Sequence, residues 1–143
     1  MAVITCAADS SSLILSGFAV TDFAEGDFIT LTPVNDDTVH VNSDNGGVSI
    51  FKRLDGDVHD LVFRVQKFSG SDINLNSALK QSSPHVFQGT WRTTFKRDGL
   101  QAVESWALDN GSATRRPSFN SNNQDGSAVI EYSIRFRSAK RTI

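Results

Sequence analysis

Apolar and polar positions alternate with a period of two through the C-terminal half of the chain, the pattern of strands with one buried face. In 87–96, Phe87, Gly89, Trp91, Thr93 and Phe95 fall on one side, and Gln88, Thr90, Arg92, Thr94 and Lys96 on the other. In 130–137, Ile130, Tyr132, Ile134 and Phe136 oppose Glu131, Ser133, Arg135 and Arg137. Runs rich in β-branched and aromatic residues predict further strands at Leu13–Phe18, Phe28–Val34, Val48–Phe51, Leu61–Phe68 and Val103–Leu108. Turn signals separate them: Glu25-Gly26-Asp27, Asn35-Asp36-Asp37, Asp44-Asn45-Gly46-Gly47, Asp55-Gly56, Asp98-Gly99 and Asn110-Gly111. Asp-Gly and Asn-Gly supply the positive φ angles that tight hairpins need. One short helix is expected near 72–81, capped by Ser71, with Asp72 at the positive end of its dipole and Leu75 and Leu79 on one face. Ser82-Ser83-Pro84 would stop it. The pattern defines a mainly β protein, an antiparallel sandwich or barrel with one short α-helix.

At 143 residues the chain is expected to form a single domain, with residues 1–12 as an N-terminal arm, 118–126 as a mobile loop and 139–143 as a C-terminal tail. Ten Phe stand against one Tyr and two Trp, so the aromatic content is core and interface material. Cys6 is the only cysteine, which rules out an intrachain disulfide and a Cys-rich zinc site. No apolar stretch approaches the roughly 20 residues of a membrane span. The first basic residue is Lys52, so the positive region of a signal peptide is missing, and synthesis in the cytoplasm is expected.

The net charge of −2 conceals an asymmetry. Residues 1–60 hold ten acidic and two basic side chains, a net −8, whereas residues 61–143 hold six acidic and twelve basic, a net +6. Such a split is either neutralised inside one fold or supplies two complementary surfaces that join copies head to tail.

Candidate chemistry is sparse. His40, His59 and His85 lie far apart, with no metal-ligand spacing and no distinctive Ser or Asp partner. The run Asp55-Gly56-Asp57-Val58-His59-Asp60 is rich in carboxylates, but a calcium loop starting at Asp55 needs glycine at Asp60 and glutamate at Gln66. An acidic turn between strands is the better reading. No glycine-rich phosphate loop opens a helix, and Asn110-Gly111-Ser112 has a glycosylation pattern without an export signal. A nucleic-acid platform needs aromatics and cations on one face, whereas alternation sets Tyr132 and Phe136 opposite Arg135 and Arg137. No catalytic, cofactor or metal site emerges, and a non-enzymatic role is expected.

In this order of elements the chain resembles the tail-tube family of contractile-tailed bacteriophages, over roughly Leu13 to Ser138. The resemblance rests on Leu13-Ile14-Leu15-Ser16-Gly17-Phe18 followed by Phe23-Ala24-Glu25-Gly26-Asp27-Phe28-Ile29-Thr30-Leu31, a Phe-Ala-x-Gly-Asp turn leading into a strand with a polar end at Thr32 to Asp37. It continues through a strand pair at Val48 to Phe68, the helix with Asn76-Ser77-Ala78-Leu79, Ser105-Trp106-Ala107, Pro117, and a final strand at Ala128–Ser138. The run Ser118–Gly126 departs from it, being long for the turn before the last strand. The resemblance implies homo-hexameric rings stacked into a tube. Tail sheath, tape-measure and baseplate or tail-terminator proteins would be the partners. Genomic DNA would pass transiently without specific binding, and there would be no membrane contact and no cofactor. Assembly would take place in the host cytoplasm, the product residing in the virion tail. A bacteriocin or type VI secretion tube shares this fold and assembly, and a discrete nucleic-acid- or carbohydrate-binding β-module is the rival of another class.

Two contact regions are expected. The long polar segment Asn42–Asp57 borders apolar residues and would join ring to ring through Asn42, Asp44, Asn45, Phe51, Lys52, Arg53, Leu54, Asp55 and Asp57. The basic positions Arg92, Lys96, Arg135, Arg137, Lys140 and Arg141 would make contacts within the ring or with the sheath. Cations lining the bore would hold phosphate and stall ejection, so a neutral or acidic lumen is expected, with the basic row outside it.

Overall fold

The computed structural model describes residues 1–121 and 129–143. Seven strands precede the helix: β1 (Ile4–Thr5), β2 (Ser11–Leu15), β3 (Phe18–Val20), β4 (Ile29–Pro33), β5 (Thr38–Asn42), β6 (Val48–Lys52) and β7 (His59–Gln66). After α1 (Gly70–Leu79) come the three longest strands, β8 (Phe87–Arg97), β9 (Leu100–Arg115) and β10 (Val129–Thr142). The main sheet is ordered β3-β2-β8-β9-β10-β7-β4, with β1 also on β8, and every pairing is antiparallel. β5 and β6 pair only with each other. The mainly β, antiparallel expectation therefore holds.

The alternation read from the sequence is the one the core uses. Ile130, Tyr132, Ile134 and Phe136 of β10 are buried, and Phe87 of β8 joins them with Trp91 packed alongside. Leu13 and Leu15 of β2 share this cluster with Leu61, Phe63 and Val65 of β7, although three strands separate β2 from β7. The sheet therefore curls around its own core. Phe63, Phe87 and Phe136 are fully enclosed, each contributing on the order of 2–3 kcal/mol of transfer free energy.

Several local expectations are corrected. The single strand expected at Leu13–Phe18 is a hairpin, because Ser16 (φ 50°) and Gly17 (φ 86°) form its two-residue turn. Asp98 (φ 52°) and Gly99 (φ 79°) do the same between β8 and β9, as the Asp-Gly signal predicts. Asn110-Gly111 is not a turn. It lies inside the 16-residue β9, where Asn110 takes φ 55° and the register to β8 shifts between Phe87 and Gly89. This is a bulge, which Asn tolerates because its short polar side chain suits the left-handed region. The Gln88 amide brackets it, donating to Asn110 Oδ1 at 2.8 Å and accepting from the Asn110 N–H at 3.1 Å. A Cβ on Gly111 would come within 2.5 Å of the Phe136 ring.

The helix begins two residues before its expected start, and its cap is Ser69 rather than Ser71. Ser69 Oγ accepts from the Asp72 N–H, while Asp72 Oδ2 accepts from the Phe68 N–H. Ser71 is buried, and its hydroxyl instead accepts from the Thr21 N–H at 2.8 Å. Leu75 enters the core, and Tyr132 donates to Asp72 Oδ1 at 2.5 Å, fixing α1 to the sheet.

Residues 139–142 continue β10 instead of trailing as a tail, and Ala139 is buried opposite Leu108. At the N-terminus the expected arm lies along β8 through β1 and the first residues of β2. Of the loop expected at 118–126, residues 122–126 lie outside the described part, as does Ala128 of the expected final strand.

Candidate assembly surfaces

The segment read as a polar loop at 42–57 is largely a β-hairpin that stands apart from the main sheet. Its turn is closed by Ser43 N–H donating to Gly47 O at 2.8 Å, with Gly46 at φ 81°. Every residue of β5 and β6 is exposed. The register Val39↔Phe51, Val41↔Ser49 and His40↔Ile50 puts Val39, Val41 and Phe51 on one face, and Val48 and Ile50 on the other. Phe51 is 59% exposed and Leu54, at the base, is 92% exposed. A two-stranded ribbon with an apolar residue at half its positions and no second layer lacks a core of its own.

Its base is nonetheless tied to the body. Arg53 N–H donates to Asp37 O, extending the hairpin's own ladder, and Val34 N–H to Val58 O, extending that of β4 and β7. From β10, Arg137 donates to Leu54 O at 3.1 Å and Ala139 N–H to Asp57 O at 3.1 Å. The His59 ring Nδ1 lies 2.8 Å from the same Asp57 carbonyl, and its ring is 5.8 Å from that of Trp106. Arg53 binds Asp55, and that hydrogen bond holds the Asp55 carboxyl below its usual range. Lys52 pairs with Asp37 at 2.9 Å, which raises its ammonium pKa. The acidic stretch 55–60 thus runs from the turn at the hairpin's base into the first two residues of β7.

The basic row does not stay together. Arg141 is registered opposite Trp106 and Lys140 opposite Ala107, so these neighbours face opposite sides of the sheet. Arg141 pairs with Glu104, and Arg135 makes a two-pronged ion pair with Asp60 across the strands at 2.8 and 3.1 Å. That hydrogen bond raises the Arg135 pKa. Arg137 is committed to the hairpin base, while Arg92, Lys96 and Lys140 are exposed on β8 and β10. Only the Arg135–Asp60 pair, of the four ion pairs among the described residues, joins the acidic half to the basic half. Most of the charge split is therefore left on the surface.

His40 sits on the free hairpin, His59 at its base, and His85 beside Ser16 and Phe87, so the three histidines form no cluster. Among the described residues, no three His, Cys, Asp or Glu side chains gather as metal ligands. β5 itself was missed in the sequence reading, although Val39 and Val41 alternate with Thr38, His40 and Asn42. Nor does the pattern single out the exposed apolar residues Phe68 and Ile73 at the start of α1, or Phe119, whose neighbour Asn120 bonds Lys67.

No family model matches the chain, and no curated protein matches it. Solved structures do. A chain of the PVC sheath–tube complex, an extracellular contractile injection system in its extended state, superposes with a TM-score of 0.67 at 11% identity, covering 96% of this chain and 90% of that one. A chain of the anti-feeding prophage tube-terminating cap gives 0.66 at 15% identity, again over 96% and 90%. A chain of the PVC sheath/tube terminator gives 0.61 at 16%, over 96% of both chains. The fold defined here is a tail-tube-like antiparallel β-fold over nearly the full chain.

Proposed function

We propose that this protein is the tube subunit of a contractile tail, a structural component that assembles into hexameric rings stacked end to end. The observation that carries this reading is the β5–β6 hairpin. Its apolar side chains are solvated in the isolated chain, and Arg137 and Ala139 nonetheless tie the segment at its root, Leu54 and Asp57, to β10. An exposed apolar arm tethered at its root fits docking on a partner. The hairpin makes the ring-to-ring contact, and Phe51 and Leu54 lead it. Arg92, Lys96 and Lys140 serve neighbours within the ring or a surrounding sheath, so that cations stay out of the bore. The phage tail tube is the particular form the sequence resembles, with a tape measure and then DNA passing through the channel.

A second form is supported by the likeness to the tube-terminating cap and the sheath/tube terminator: a ring that ends a tube in a contractile injection apparatus. Negative-stain microscopy of the purified full chain separates the readings. Rings that stack into long tubes support the first, and single or paired rings that never extend support the second. A monodisperse monomer would eliminate both in favour of a discrete binding module.

A further inference from the structure

Phe68 is held by the Asp72 cap in a conformation that leaves its ring outside the core. Its φ is +67°, a region where a bulky side chain is strained, and its ring is 78% exposed. It immediately precedes the Ser69 cap, and Ile73 is the fourth helical residue after that cap. These are the two positions of a hydrophobic staple, which brings their side chains together over the first turn. Ile73 is 60% exposed, so the pair forms a surface instead of being buried by one. Lys67 extends this surface. Its ammonium lies 5.0 Å from the centre of the Phe68 ring and donates to Asn120 O at 2.7 Å, the residue next in the chain to the 57% exposed Phe119.

The position of this patch matters as much as its chemistry. β7 begins at His59, where the hairpin joins the body, and ends at Gln66, two residues before Phe68. Seven residue steps give β7 a length of roughly 23 Å, so the hairpin's root and Phe68 lie at opposite ends of that strand. A contact between opposite ends of identical subunits is heterologous, so it repeats without closing. The hairpin segment 36–57 carries five Asp against Lys52 and Arg53, a net −3, and Lys67 offers it a cation at the patch. Asp22, whose carbonyl accepts from Gln66, lies at this end too, so apolar burial is the main term and charge the lesser one.

We infer that the Phe68–Ile73–Phe119 patch is the receptor for the β5–β6 hairpin of a second copy of this chain. This rests on the tube reading and supplies the other half of its ring-to-ring joint. The hydrogen bond from the Phe68 N–H to Asp72 Oδ2 offsets the positive-φ strain and keeps the ring out in solvent, ready to meet the incoming Val39, Val41 and Phe51 face.

Two experiments on the full chain test it. In the first, Phe68 is replaced by the photocrosslinker p-benzoylphenylalanine in an equal mixture of isotopically light and heavy protein. Crosslinks from position 68 to residues 38–54 of a different copy are expected. Crosslinks elsewhere while rings or tubes form would overturn this inference and leave the tube reading standing; no self-association of the unmodified chain would overturn both. In the second, Phe68→Asn relieves the positive-φ strain, because Asn accepts that region. Its melting temperature should equal or exceed that of the parent while mean tube length falls at least ten-fold. Tubes of parental length would refute the assignment, even where sheath binding was lost instead. Mixing Phe68→Asn with Phe51→Ser, each retaining one working end, should yield paired rings and no longer assemblies.

Discussion

Arg137 donates to the carbonyl oxygen of Leu54 across 83 residues of sequence, so the last strand of the sheet holds the root of the free hairpin. The two contact regions expected from the sequence thus meet at one bond. The guanidinium also helps keep the Asp55 carboxyl ionised, after the larger contribution of Arg53. Arg137 is partly a strut and not simply a cation displayed for a partner.

Arg137→Ala should therefore loosen the hairpin more than the body. A hydrogen bond from a charged donor at an exposed site contributes on the order of 1 kcal/mol, so global stability should change by about that much or less. Hydrogen exchange in 38–54 should rise several-fold, with β7 and β9 unchanged, and tubes should become shorter. Unchanged hairpin exchange would show that Ala139 and Asp57 suffice.

Gly111→Ala should be among the most damaging single-atom additions. The new methyl would meet the Phe136 ring at 2.5 Å and Ile134 at 2.9 Å, inside a core with no slack. Overpacking of this kind costs about 1–3 kcal/mol, visible as a lowered thermal midpoint. Gly89→Ala is expected to be worse. The obstacle there is the Ile14 backbone carbonyl on the paired strand, which cannot rotate away.

Tyr132 and Asp72 give a pH dependence whose sign is fixed. Burial, then the hydrogen bond to Asp72, raises the Tyr132 pKa well above its ordinary value. In the unfolded chain the phenol ionises near its ordinary value of about 10, so above that pH the folded state retains a proton that the unfolded state releases. Its stabilising contribution is full below pH ~10 and is lost as pH rises further. Tyr132→Phe should cost about 1–3 kcal/mol at neutral pH, because a buried carboxyl oxygen loses its donor. The mutant should also show less loss of stability than the parent between pH 10 and 12 in denaturant titrations. Parallel pH curves would contradict this account.

What the sequence disclosed and what it hid divide along physical lines. Strands β8 and β10 announced themselves because alternation and burial coincide at Phe87, Ile134 and Phe136. The Asn110-Gly111 bulge did not, since a left-handed Asn before Gly is chemically the same signal in a turn and in a bulge; only the Gln88 amide distinguishes them, and that is a cross-strand contact. The split of Lys140 from Arg141 followed from the unanticipated extension of β10 through Ala139, which is buried by pairing against Leu108 rather than by any local pattern. For the contact regions, composition singled out the segment 42–57 by its polarity. It hid the hairpin, because the polar residues at Ser43–Gly47 are its turn.

The hairpin's apolar face carries the last prediction. Val41 and Phe51 share that face, exposed by 52% and 59%, and the described residues give neither a core to support. Phe51→Asp should therefore leave folding intact, with a thermal midpoint within about 2 °C of the parent, as expected of a surface change near ±0.5 kcal/mol. Buried at a ring-to-ring joint, the same carboxylate would be desolvated without a partner at every equivalent contact, a penalty of several kcal/mol at each. Rings should persist and long tubes should disappear. Deleting 43–46 should have the same outcome, because the Asn42-Gly47 turn it creates pairs Val41 with Val48 instead of Ser49, and that one-residue slip moves Phe51 off the face of Val39 and Val41. Sedimentation would show a single ring-sized species where the parent gives a broad, fast-moving one. Tubes of normal length in Phe51→Asp would mean that the hairpin points somewhere other than the next ring.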